Sequence, residues 1–290
     1  MGAFGVEDLR QRLGRALAQL RIASGLSQPH LAARLDWSQP RISRIEAGKQ
    51  SITVPQVDMW CRETGADDDR RRDLLALSEA ILLGPSSWDE VSGGKGLHEA
   101  AAEMEARAGL ISVYQPAILP GLLQTAGYAR QVISAGPNGA PADLSDRIVG
   151  RLERQRILYD GHKRLRFVIP EAVLRWPIGP SDDAIAMGEH LEQLDRLGEV
   201  MPRPNVDLRI LPMAPRPVWR TGGFVLFDHV RDGEPFVHLE LLTRPVNIEE
   251  PGQVDMYQRV FDNLLAAAES GAAATALLGR IITDMRSRRG

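Results

Sequence analysis

Residues 25–50, GLSQPHLAARLDWSQPRISRIEAGKQ, constrain the fold of this chain more tightly than any other stretch. Ser27 is placed to cap a helix over Gln28–Leu35, with Pro29 in its first turn, where the backbone N–H has no intrahelical partner and proline costs little. Asp36-Trp37 makes a tight turn, and Ser38 caps a second helix that again carries a proline, Pro40, in its first turn. Leu31, Ala32, Leu35, Ile42 and Ile45 recur at helical spacing and close a small core. Gln39, Arg41, Ser43 and Arg44 are left on the opposite face, and Gly48 stops the helix, as glycine past a C-terminus commonly does.

The leading Gly25-Leu26-Ser27-Gln28, the Leu31-Ala32 pair and the closing Arg44-Ile45-Glu46-Ala47-Gly48-Lys49 together resemble the helix-turn-helix of the phage-repressor-like (XRE) regulators. Carried over position by position, the resemblance puts Gln39, Pro40, Ser43 and Arg44 against base edges in the major groove. It places Gln28, Ser38, Arg41 and Lys49 near phosphates. Chemically, Arg44 can bond a guanine in bidentate fashion, Gln39 suits an adenine, and Pro40 can touch a thymine methyl but donates nothing. Glu46 resembles the structural glutamate of that family, paired with an arginine on the first helix, here Arg21.

Charge is placed to match. Residues 1–66 hold nine of the 35 basic and six of the 38 acidic residues, a net of +3, which leaves −6 on the remainder. A basic end supplies the phosphate attraction that dominates affinity for DNA. Cys61 is the only cysteine, so no internal disulfide can form, and a buried, inert thiol is expected. No apolar run reaches the eighteen or so residues of a membrane span. The first residues lack the basic-then-apolar order of a signal peptide, so a cytoplasmic protein is expected.

The spacing of Leu9, Leu13, Ala16, Leu17 and Leu20 predicts a first helix over residues 7–23. A fourth is expected over Val54–Thr64, with Val57, Met59, Trp60 and Cys61 inward, and a fifth over about Asp67–Leu83, its acids near the N-terminus. Residues 1–83 thus form an all-α, five-helix DNA-binding domain, and 84–96 (GPSSWDEVSGGKG) a linker. The Gly93-Gly94-Lys95-Gly96 run is no phosphate loop, because it lacks the GxxxxGK[ST] frame and a preceding strand.

Residues 97–290 mix helices and strands. Strands are expected at Leu110–Tyr114, Arg164–Ile169, Val206–Leu211, Gly223–Phe227 and Phe236–Leu241, with a hairpin turn at Arg231–Glu234. Helices are expected from about Leu97, after Pro120-Gly121, over Ser145–Tyr159 and Ser181–Val200, and in two final segments, Pro251–Glu269 and Ala272–Arg286. The result is an α+β domain with a small mixed sheet covered by helices, serving dimerisation and regulation or partner binding.

The segments QPAILPGLLQTAGYAR, RLERQRIL, PEAVLR, VDLRILP and GGFVLFD, with the late helix carrying Tyr257, Phe261, Asp262, Leu264, Ala267 and Ser270, resemble the C-terminal domain of actinobacterial XRE regulators of the Scr1 type (DUF5753-like). That resemblance implies a very small partner protein encoded nearby, in an arrangement likened to antitoxin and toxin, and roles in development or secondary metabolism. The 32 arginines against three lysines suit a GC-rich genome.

Catalysis finds little support. The six histidines show neither HxH nor HExxH spacing, and no GxSxG elbow or GxGxxG after a strand occurs. His229 and His238 flank a hairpin and could approach one another. Glu171 and Glu240 could pair as glycosidase carboxylates do, at a separation that the sequence does not fix. No enzyme, cofactor or metal is expected. Arg147, Arg151 and Arg154 stand at i, i+4 and i+7 on one helix face. They read either as a solvated face paired with Asp143, Asp146 and Glu153, or as a docking face for an acidic partner or anionic ligand. Trp176 and Trp219 sit in loops bounded by proline and glycine, as interface anchors if exposed and as core if buried.

One such helix-turn-helix buries little surface on DNA, so a homodimer on an inverted repeat in double-stranded DNA is expected. Two alternatives stand beside a partner-regulated or ligand-regulated transcription factor: an antitoxin-like protein that mainly sequesters a small protein, and a ligand-sensing repressor.

Overall fold

The periodic apolar residues of the N-terminal third become five helices: α1 (Val6–Ala23), α2 (Gln28–Leu35), α3 (Gln39–Glu46), α4 (Val54–Glu63) and α5 (Asp68–Leu83). The computed structural model describes residues 6–83, 95–136, 139–179, 183–214, 218–231, 233–241 and 245–287. The chain divides into two compact units, Met1–Glu90 and Val91–Gly290. Of the linker expected over 84–96, residues 84–94 lie outside the described residues, while Lys95 and Gly96 already open a helix.

In the N-terminal unit, Leu13 and Leu17 of α1 pack with Leu31, Leu35, Ile42, Ile45, Val57 and Trp60 into one core. The Trp60 indole N–H donates to the carbonyl of Leu17 at 3.2 Å, which ties α4 to α1. Cys61 is buried and burial pushes its thiol up, away from thiolate chemistry. Met59 departs from the expected core: it is exposed, because Val57, Trp60, Cys61 and Thr64 already fill the inward face at i, i+3, i+4 and i+7.

Caps follow the serine and threonine positions. Ser27 Oγ accepts from the backbone of His30, and Thr53 with Gln56 forms a reciprocal capping box. Ser38 holds the N-cap position of α3, but its hydroxyl makes no capping bond. Two glycines are required by close approach. A Cβ on Gly14 would collide with the carbonyl oxygens of Ile45 and Glu46, so α1 lies directly against the end of α3. Gly48 has φ +70°, and a Cβ there would meet the Gln11 Cα at 2.8 Å.

The C-terminal unit runs α6 (Lys95–Arg107), β1 (Ala108–Tyr114), a 3₁₀ turn (Gly121–Leu123), α7 (Ala126–Ser134), α8 (Leu144–Arg154) and a second 3₁₀ turn (Gln155–Tyr159). It continues through β2 (Arg164–Pro170), α9 (Glu171–Arg175), α10 (Ala184–Val200), β3 (Val206–Leu211), β4 (Phe224–Val230), β5 (Phe236–Glu240) and β6 (Pro245–Ile248). It closes with α11 (Pro251–Ala267) and α12 (Gly271–Ser287). The six strands form one mixed sheet in the order β3-β2-β1-β4-β5-β6. β1, β2 and β3 are parallel, with Val113 beside Phe167 and Phe167 beside Leu208, whereas β4, β5 and β6 add antiparallel neighbours. Helices cover both faces: α7, α10 and α12 on one, α11 on the other. β2 is buried over nearly its whole length, as parallel strands covered on both sides are.

α10 brings a titratable group into this core. His190 is 0 % exposed, its Nε2–H donating to the Leu174 carbonyl at 2.9 Å. Burial holds the imidazole below its ordinary value, so the folded state keeps it neutral while the unfolded chain takes up a proton. Stability of this unit should therefore fall as pH drops below about 6.5, by up to ~1.4 kcal/mol per pH unit for this one group. Thermal melts between pH 7 and pH 5, with His190→Asn as the control that removes the slope, check this.

Candidate nucleic-acid interface

α2 and α3 meet across a turn that the sequence makes cheaply. Asp36 takes the left-handed conformation (φ 56°, ψ 44°) that aspartate tolerates, and its backbone N–H caps α2 on the Ala32 carbonyl. At the far end of α3, Gly48 and Lys49 return N–H bonds to the carbonyls of Ile45 and Arg44 at 3.0 and 2.8 Å. α3 is eight residues long, about 12 Å, close to the width of the B-DNA major groove.

The ion pair read as scaffold is the root of the interface. Arg21 meets Glu46 through two nitrogens, at 2.5 and 3.0 Å, and donates a third bond to the Leu26 carbonyl at 2.8 Å. The two side chains are 12 % and 9 % exposed. Glu46 also accepts from the Gln28 amide nitrogen at 2.7 Å, and the Gln28 oxygen accepts from the Gln39 amide nitrogen at 2.8 Å. Direction in this chain is forced, because a guanidinium only donates and a carboxylate only accepts. Gln28 must therefore turn its nitrogen inward and its oxygen toward Gln39. Gln39 is left with its oxygen and one N–H outward, the acceptor–donor pair that matches adenine N6 and N7.

Gln39, Pro40, Ser43 and Lys49 are exposed, as is Ser38 with its unused hydroxyl. Arg44 is half-buried and its Nε donates to the Gln50 side chain at 2.9 Å. Gln50, outside any helix, carried no periodic signal. The sequence likewise missed that Gln28 is the link between Glu46 and Gln39.

Arg41 corrects the expected outward face. It is only 8 % exposed and its guanidinium lies over the Trp37 ring, 4.3 Å from the centroid. Stacking on an indole is favourable for a weakly hydrated guanidinium. It fixes the turn before α3, so Arg41 presents no extended arm.

The C-terminal candidates fare differently from one another. Arg147 pairs with Asp143 at 2.9 Å, as the solvated-face reading expects, but Arg154 reaches across to Glu105 of α6 in a two-nitrogen fork. Arg151 turns to the Gln124 side-chain oxygen at 2.6 Å. Trp176 and Trp219 are 71 % and 76 % exposed, so neither is core. His229 and His238 do not converge: Val225, not His229, stands opposite His238, which places the two histidines about 14 Å apart along the hairpin. Glu171 opens α9 just after β2 and Glu240 ends β5, and β1 and β4 stand between those two strands, which puts the strands about 14 Å apart. Glu171 is held by Arg175 and the backbone N–H of Met213, which outweigh burial and keep its carboxyl below the usual range. Among the described residues no group of three metal-ligating side chains occurs, and no helix is long and apolar enough to cross a membrane.

A five-helix unit that buries an ion pair beneath a presented polar helix defines a helix-turn-helix DNA-binding protein, and residues 12–74 match the family described as helix-turn-helix domain. Residues 98–280 match the domain of unknown function DUF5753. That match covers more than half of the chain, which belongs to this family: a DNA-binding regulator with a C-terminal DUF5753 domain. No curated protein and no solved structure matches the chain.

Proposed function

We propose that the protein is a cytoplasmic, sequence-specific transcriptional regulator that binds an inverted repeat as a homodimer, without catalytic chemistry or cofactor. Its C-terminal unit assembles the dimer and takes regulation from a small partner protein or ligand. The observation that carries this reading is the Arg21–Glu46–Gln28–Gln39 chain, which connects a buried charge to the orientation of an exposed amide. In this reading Gln39, Pro40, Ser43 and Arg44 face bases, while Gln28, Ser38 and Lys49 lie near phosphates and Arg41 adds charge from beneath. The exposed Trp176 and Trp219 favour a protein-capturing role for the C-terminal unit, which keeps the antitoxin-like reading as the second one.

The test is selection of bound fragments from random DNA at moderate salt by the full chain, with Arg44→Ala and Lys49→Ala in parallel. Wild type should enrich a short inverted repeat. Arg44→Ala should lose about 1–3 kcal/mol of discrimination at one position of each half-site, whereas Lys49→Ala should weaken all sequences alike and reduce the salt slope by about one. Wild-type behaviour of both variants would remove α3 as the reading face. Enrichment of single, unpaired half-sites would remove the dimer.

A further inference from the structure

Two features at one end of the C-terminal sheet are left unused by the reading above. The strand order reverses between β1 and β4: the chain moves outward through β2 to β3 on one side and through β5 to β6 on the other. β4 runs antiparallel to β1, so at this reversal the carboxyl end of β1 lies beside the amino end of β4. The turn Gly121–Leu123 with Gln124 leaves β1 at that end. β5 also finishes there, at Glu240, because β4 is antiparallel to both.

The second feature is Arg151. Its neighbours on α8 each hold a carboxylate, Asp143 for Arg147 and Glu105 for Arg154, but Arg151 forms no ion pair among the described residues. Among the described residues its one hydrogen-bond partner is the oxygen of Gln124, a neutral amide whose nitrogen is committed to the Leu119 carbonyl at 2.7 Å. Its Nε is closed off from solvent and has no acceptor. The turn backbone lies against it, such that a Cβ on Gly121 would stand 3.8 Å from Cδ and Nε. Burial first, and then the Arg154 charge, hold the guanidinium below the ordinary arginine value, with Glu240 opposing from longer range. A largely desolvated cation with no carboxylate in direct contact is costly, and a guanidinium is shaped for a two-oxygen anion.

We propose that Arg151 anchors a carboxylate-binding site at the carboxyl end of β1. A single guanidinium with the Glu240 carboxylate in its field suits a monoanionic carboxylate and disfavours a phosphate dianion. The carboxylate is supplied by a free small organic acid or by the C-terminus of a polypeptide. A regulatory consequence of occupancy rests on the reading above; the site itself does not.

The test uses the full chain and reads thermal shift together with the NMR signal of the Arg151 Nε–H. The probes are succinate, pentapeptide mixtures with free or amidated C-termini, and inorganic phosphate. Saturable binding of succinate identifies a free acid, and binding of free-carboxylate peptides but not of amides identifies a chain terminus. Arg151→Gln should weaken binding about 10–150-fold, and Arg147→Gln should leave it unchanged. Arg151→Lys, which keeps the charge and loses the fork, should fall between. No response to either carboxylate, a response to phosphate alone, or wild-type binding by a folded Arg151→Gln overturns the site. Because carboxylate binding is read without DNA, failure of the DNA-binding reading would leave this result standing, and the reverse.

Discussion

Truncating Glu46 to alanine is expected to lower the melting transition of the N-terminal unit by roughly 12 °C or more. Removing one partner of a buried ion pair costs about 3–5 kcal/mol, and each kcal/mol is worth roughly 4–8 °C in a domain of this size. The exposure of the pair, 12 % and 9 %, puts it in that class and not among surface bridges. After truncation Arg21 retains only the Leu26 carbonyl, and the Gln28 amide nitrogen loses its acceptor. Circular dichroism, with fluorescence from the adjacent Trp37 and Trp60, reads the transition. A drop of only a few degrees would show that the pair is not structural.

Glu46→Gln separates stability from readout. A neutral amide at 46 keeps most of the volume but can donate as well as accept, so the direction of the Gln28–Gln39 chain is no longer forced. The folded variant should therefore bind DNA with relaxed preference at the base facing Gln39, while preference at the base facing Arg44 is retained. Unchanged preference at both would mean that the amide orientation is set by DNA instead of by the buried carboxylate.

The helix-turn-helix was legible because its constraints are local. Caps, prolines at the first turn, Gly48 and the Leu31–Ile45 spacing each act within a few residues, and the Arg21–Glu46 pair followed from the family pattern. Arg41 was misplaced because helical periodicity ranks positions by angle and cannot see that Trp37, in the preceding turn, offers a face to stack on. In the C-terminal unit five of the six strands were legible from alternation. β6 (PVNI) was not, since four residues that open on a proline give no period, and its identity comes from pairing with β5. Ser145–Tyr159 reads as one helix but tightens into a 3₁₀ turn after Arg154, where Gln155 bonds the carbonyls of Gly121 and Gln124. Such partners, 30 or so positions away, leave no trace in local spacing. The Arg154–Glu105 fork and the isolation of Arg151 are of the same kind.

Phe261→Ala is expected to melt the C-terminal unit selectively and, through it, to lower affinity for the inverted repeat. Phe261 is 0 % exposed on the sheet face covered by α11, its ring 6.3 Å from that of Phe224 and beneath the Arg166 guanidinium at 5.2 Å. Deleting a buried phenylalanine costs about 3–5 kcal/mol, which in a unit of some 200 residues lowers the transition by roughly 6–20 °C. The N-terminal core shares no residue with this cluster, so α1–α5 should melt as in wild type. Between the two transitions the variant presents intact α3 helices on chains whose C-terminal units are unfolded. If those units assemble the dimer, two linked half-site contacts become two separate ones, and affinity should fall by roughly 10²–10⁴-fold while preference within each half-site stays. Gel shift on one repeat and on one isolated half-site, at a temperature between the transitions, distinguishes the outcomes. Equal loss on both targets would mean that the N-terminal unit had also been damaged, which its own melt would report. Undiminished affinity for the repeat would assign assembly to the helix-turn-helix unit and leave the C-terminal unit to regulation alone.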